Sequence, residues 1–118
     1  MRTTRGSQVE AQRGMLFVAE YEFGWDALST VVAKRLEWSE AQPDGFRFVG
    51  EYIWQQREPP FRGVAVIETD AIEALNAFAL HYGPTIRMTI HPATDVHSGI
   101  AMLHTSQTRA AKHHPRKR

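Results

Sequence analysis

Residues 45–56, GFRFVGEYIWQQ, alternate cleanly when every second position is read. Phe46, Phe48, Tyr52 and Trp54 fall in one register with Gly50 between them; Arg47, Val49, Glu51, Ile53 and Gln55 fall in the other. A strand sends alternate side chains to opposite faces, so this stretch predicts a strand with one aromatic face and one mixed face. MLFVAEYEF (15–23) and GVAVIETD (63–70) are rich in β-formers and predict the first and third strands, and TIRMTIHPAT (85–94) predicts a fourth that stops near Pro92. Between the first two strands the period changes. Leu28, Val31, Val32 and Leu36 recur at helical spacing, with Asp26 as N-cap. A second helix buries Ile72, Leu75, Phe78, Ala79 and Tyr82; the Asp70-x-x-Glu73 spacing of a capping box opens it, and Gly83 and Pro84 end it. Pro43-Asp44-Gly45 predicts a turn, and REPPFR (57–62) a connection that leaves Phe61 the most exposed aromatic. SGIAML (98–103) supplies either a short strand or a contact with a partner.

The order β-α-β-β-α-β predicts an α+β domain of the ferredoxin-like kind, a four-stranded antiparallel sheet with both helices on one face. The domain spans 15–104, between a disordered arm (1–14) and a basic, disordered tail (105–118). Strand order 4-1-3-2 is expected, with strands one and three central and parallel. The aromatic register is placed under the helices together with Phe17, Tyr21, Phe23, Val64, Val66, Ile86, Met88 and Ile90. The opposite face then carries Leu16, Val18, Glu20 and Glu22; Arg47, Val49, Glu51, Ile53 and Gln55; Ala65, Ile67 and Thr69; and Arg87, Thr89 and His91. That face is too apolar for water and too polar for a core. It suits a homodimer interface, driven by Val18, Val49, Ile53 and Ile67, that encloses a polar cavity; a sheet face left in water is the plainer reading. In this topology Glu20, Glu22, Arg47, Thr69 and Arg87 gather at one end, with His91 and Gln55 toward the other. Two carboxylates opposite two guanidiniums form either structural ion pairs, the favoured reading, or the lining of an anion site.

The Pro-Asp-Gly entry to FRFVGEYI, the VIETDAIEAL passage and the IRMTIHPATD ending resemble a small bacterial family of unknown function within the dimeric α/β-barrel superfamily, over roughly residues 15–95. In that superfamily two ferredoxin-like subunits press their open sheet faces together. Its members include cofactor-independent monooxygenases, lactone isomerases, haem enzymes and proteins without established activity. The resemblance implies a homodimer with a cavity and brings no catalytic residue. Both basic ends depart from the family pattern.

At 118 residues the chain suits one domain. It has no cysteine, which removes disulfides, thiolate nucleophiles and the usual structural zinc sites, and fits a reducing, cytoplasmic setting. No apolar run reaches the roughly 20 residues of a membrane span. The net charge of +1 is unevenly spread: residues 15–108 hold six Lys and Arg against twelve Asp and Glu, and the ends hold the surplus of base. The tail RAAKHHPRKR lacks aromatics for base stacking, so no specific nucleic-acid partner is expected. No nucleophile elbow, phosphate loop or dinucleotide fingerprint occurs. The histidines lack metal-ligand spacing, and neither metal nor cofactor is expected. His91 is the acid–base candidate because an imidazole titrates near neutrality. Arg47, Arg87, Glu20, Glu22, Glu51, Gln55 and Thr89 are the candidate ligand-binding groups, for a small polar or anionic metabolite. Two readings stand: a cavity-bearing binder or cofactor-independent enzyme, and a non-catalytic dimer whose sheet face serves assembly only.

Overall fold

The computed structural model describes residues 14–113. Strand β1 (Met15–Phe23) leads through a short 3-10 turn (Trp25–Ala27) into helix α1 (Leu28–Ala41). Strands β2 (Phe46–Gln55) and β3 (Phe61–Thr69) form a hairpin, followed by helix α2 (Ile72–Tyr82), strand β4 (Arg87–Ala93) and helix α3 (Val96–His113). The sheet order is β2-β3-β1-β4, every neighbouring pair antiparallel. The predicted βαββαβ fold with an open four-stranded sheet is present.

The strand directions differ from expectation. β1 and β3 are antiparallel. The α1 crossover returns β2 in the direction of β1, and the hairpin then reverses β3, so the adjacent central pair must oppose each other. Gly45, at φ +82°, supplies the left-handed residue of the turn into β2.

Phe17, Ala19 and Phe23 of β1 and Phe61, Ala65, Ile67 and Thr69 of β3 are buried beneath the helices. Val31 and Trp38 of α1, and Ala74, Leu75, Phe78 and Tyr82 of α2, close the core over them. Phe78 sits at its centre, with ring centroids 5.3 to 5.6 Å from Trp38, Phe46, Phe48 and Tyr82. His81 ties the two helices together, its Nε2 2.7 Å from the Lys34 carbonyl oxygen.

Several local expectations are corrected. Val64 and Val66 face away from the helices and Ala65, Ile67 and Thr69 face toward them, so the two registers of β3 are the reverse of those predicted. Phe61 is buried, stacked on Phe23 at 5.0 Å and met edge-on by Trp25 at 4.7 Å. Asp26 lies inside the 3-10 turn, and α1 begins without a side-chain cap. The proposed capping box is also absent: Thr69 Oγ1 accepts the Ala71 N–H at 3.2 Å instead. Gly83, at φ +57°, does end α2. β4 runs through Pro92 to Ala93, because an edge strand tolerates a residue without an N–H.

Residues 98–103 are helical rather than a strand, and the helix continues through residues 105–113 of the expected tail. Asp95 explains its start: the carboxylate accepts the Ser98 N–H at 2.8 Å and the Ser98 hydroxyl at 2.9 Å. The arm 1–13 and residues 114–118 lie outside the described residues.

Candidate functional site

Strand β2 is not regular. Phe48 pairs with Ile67 and Gly50 with Val66, so one residue, Val49, is extra and the register shifts between Phe48 and Gly50. A bulge of this kind reverses which face each later residue takes. Phe46 and Phe48 stay under the helices, but Tyr52 and Trp54 turn to the open face, where they are well exposed. Glu51, Ile53 and Gln55 pair with Ala65, Gly63 and Phe61 of β3, on the helix side. Gly50 at the shift has room for the Tyr52 ring: a Cβ there would lie 3.2 Å from it.

The reversal carries Glu51 beneath α1. Arg35, projecting from α1, meets it with Nη2 and Nε each 2.9 Å from Oε1. The guanidinium carbon stands 4.2 Å from the centre of the Phe48 ring. The Tyr21 hydroxyl donates to Glu51 Oε2 at 3.3 Å. Tyr21 in turn occupies the space above Gly63, where any Cβ would collide with its ring. Burial, reinforced by the Glu51 charge and hydrogen bond, pushes the Tyr21 phenol well above its ordinary range. Burial likewise pushes Tyr82 up to about 12, against the opposing pull of Arg35.

These groups line one wall of a cavity of about 320 Å³ between α1 and the sheet. The remaining wall is apolar, from Phe23, Leu28, Val31, Phe78, Ile86 and Met88. Val32, Leu36 and Ile53, each at least half exposed, rim its mouth. A mostly apolar pocket with a few convergent polar groups is the usual form of a small-molecule site. Because Arg35 already neutralises Glu51, the polar wall offers a carboxylate acceptor and phenolic hydroxyls rather than an unpaired charge.

Apart from Glu51, already placed in the pocket, the residues selected from sequence do not form one group. Glu20, Glu22, Arg87 and Thr89 do come together on the open face, where they line a second, polar hollow of about 300 Å³ with Arg62. Glu22 stands between Arg87, at 3.5 Å, and Arg62, at 3.7 Å. Arg47 and Thr69 are at the opposite end, beside Met15: Arg47 pairs with Glu68 at 2.6 Å, and Thr69 is buried on the helix side. His91 is exposed opposite Val18 on the open face. Gln55 lies at the Glu22 end rather than away from it. The antiparallel central pair and the bulge together account for these displacements. Arg35, Tyr21 and Tyr82 escaped the sequence reading, since each sits where a plain helix face or core position is expected. The isolated Gly50 within a strand pattern was the available signal of a bulge.

Among the described residues no group of His, Asp and Glu is arranged to hold a metal ion, and no helix is long and apolar enough to cross a membrane. Residues 15–107 match the family described as a domain of unknown function, DUF3303, and the chain belongs to that family. No curated protein and no solved structure gives a significant match.

Proposed function

We propose that this protein is a homodimeric small-molecule binder, with one site per protomer in the pocket beneath α1. The observation that carries the reading is the Arg35–Glu51–Tyr21 cluster set into the wall of an open, otherwise apolar pocket. A cluster neutralised from within suits an uncharged ligand: a ring-sized apolar molecule with a hydroxyl or amide donor directed at Glu51. An anion clamped between Arg47 and Arg87 is less well supported, because the two stand at opposite ends of the sheet and each has its own carboxylate. Dimerisation is supported by Leu16, Val18, Val64 and Val66, which form an apolar column along the middle of the open face.

The test uses 2-naphthol as probe, with titration calorimetry. Binding of one equivalent per protomer, lost in Ile53→Trp at the pocket mouth and kept in Arg87→Met, is the expected result. Equal binding by wild type and Ile53→Trp, or tighter binding of 2-naphthoate, contradicts the site.

A second reading, assembly without a ligand, draws on one observation. The open-face charges are largely paired within the protomer, as Arg47–Glu68 and as Glu22 with Arg62 and Arg87. A dimer with these faces and no affinity for any apolar probe is its signature.

A further inference from the structure

Tyr21 and Tyr82 both line the pocket beneath α1, and they differ in what their hydroxyls meet. The Tyr21 hydroxyl donates to Glu51 Oε2 at 3.3 Å. Tyr82, the last residue of α2, is only 4 % exposed, its ring set edge-on to Phe78 with centroids 5.5 Å apart. Its hydroxyl makes no hydrogen bond among the described residues. Nor is that hydroxyl sealed inside the core. Among the described residues the buried side-chain polar atom shut away without a partner is Trp38 Nε1, so the Tyr82 oxygen opens on the cavity that its ring helps to line. Buried tyrosine hydroxyls normally find a partner, and a phenylalanine ring would pack on Phe78 equally well.

The rest of the polar wall makes Tyr82 the free donor. Arg35 directs Nε and Nη2 at Glu51 Oε1 and Nη1 at the Ser39 hydroxyl. Glu51 Oε2 accepts the Tyr21 hydroxyl, and a carboxylate oxygen has room for a second donor. The pocket therefore presents one open acceptor and one open donor. Burial keeps the Tyr82 phenol protonated, pushing it up to about 12, and Arg35 and Glu51 both bear on it, which sets it at the polar end of the pocket.

We propose that Tyr82 is the specificity-determining residue of this pocket: its hydroxyl donates to a carbonyl oxygen of the ligand, while the ligand's own donor goes to Glu51 Oε2. The inference rests on the pocket reading above and narrows it to neutral ring compounds that carry a carbonyl acceptor and a donor, of which a cyclic amide is the simplest. A carboxylate in the same place would face the Glu51 charge, with Arg35 already engaged by it. A ring without an acceptor would leave the Tyr82 hydroxyl unpaired, and a buried donor left unpaired is what lets a site reject an analogue.

The test is titration calorimetry with two bicyclic probes: 2-quinolinone, which has a carbonyl beside an N–H, and indole, which has the N–H alone. Each is titrated into wild type, Ile53→Trp and Tyr82→Phe, the last of which keeps the ring against Phe78. In Tyr82→Phe the affinity for 2-quinolinone is expected to fall by about tenfold or more, and that for indole to change by less than about twofold. If wild type and Tyr82→Phe bind 2-quinolinone equally, while Ile53→Trp does not bind it, the role of Tyr82 is overturned and the pocket stands. An equal loss for both probes means that Tyr82 acts through packing alone and overturns the role as well. No saturable binding of either probe to wild type, or binding that Ile53→Trp leaves unchanged, overturns the pocket reading and this inference together.

Discussion

Arg35 spans two residues that a regular strand would send to opposite faces: its guanidinium lies 4.2 Å from the Phe48 ring centre and 2.9 Å from the Glu51 carboxylate. Phe48 and Glu51 are three positions apart, and only the extra residue at Val49 brings both beneath α1. The bulge therefore creates the polar wall of the pocket, and α1 is pinned to the sheet through it. Glu51→Ala leaves the half-buried guanidinium without its partner and is expected to cost about 1–3 kcal/mol. Glu51→Gln, which keeps an acceptor for Arg35 and Tyr21, is expected to cost less than half as much. Urea unfolding of the two variants measures the difference.

Gly63 is held to glycine by the Tyr21 ring above it. Gly63→Ala forces that ring aside, breaks its hydrogen bond to Glu51 and narrows the pocket. A loss of roughly 1–3 kcal/mol is expected, as for other overpacked cores. Gly63→Ala/Tyr21→Phe does not relieve the clash, because the ring remains, whereas Gly63→Ala/Tyr21→Ala does. Melting temperatures of the three variants distinguish a steric cause from loss of the hydroxyl.

Tyr21 and Tyr82 both have phenols raised above the ordinary value, chiefly by burial. Folding thus disfavours their ionised forms. The stability this represents is fully present below pH about 10, the unfolded value, and is lost as pH rises through the folded values. Unfolding in urea is expected to become easier with each step in pH above about 10. Tyr82→Phe flattens that dependence, and absorbance near 295 nm follows the phenolate directly. A stability independent of pH between about 9 and 12 contradicts the burial of these hydroxyls.

Asp95 shows the opposite sign. The Ser98 N–H, then the Ser98 hydroxyl, hold its carboxyl below the ordinary carboxylate range. The capping contribution is therefore present above the ordinary aspartate value and is lost as pH falls through the lowered one. Helical circular dichroism is expected to drop below pH about 4 in the wild type. In Asp95→Ala it is already reduced at neutral pH.

The elements were legible in sequence because period and punctuation are local. Leu75, Phe78 and Tyr82 announce a helix face, and Gly83 announces its end. The faces of the sheet were less legible. Placing β3 depends on whether Val64 or Ala65 points inward, and both are apolar, so alternation carries no sign there. In β2 plain alternation holds up to Phe48 and is inverted from Gly50 on, since one unpaired residue reverses every later side chain. The site depended on that single residue. Arg35 has the look of the polar side of an amphipathic helix, and no local pattern says that a carboxylate on the next strand rises to meet it. In sequence α3 resembles a tail, because among the described residues its apolar positions Val96, Ile100 and Leu103 stay exposed.

The most direct test is to map where a small apolar ligand rests. With 2-naphthol added to isotopically labelled protein, methyl and amide resonances report the site residue by residue. The largest shifts are expected at Val31, Val32, Leu36, Ile53 and Met88, with the Arg35 Nε–H signal moving in step and saturation at one ligand per protomer. Shifts centred instead on Val18, Val64 and Thr89, or no saturable shifts at all, contradict a binding pocket beneath α1.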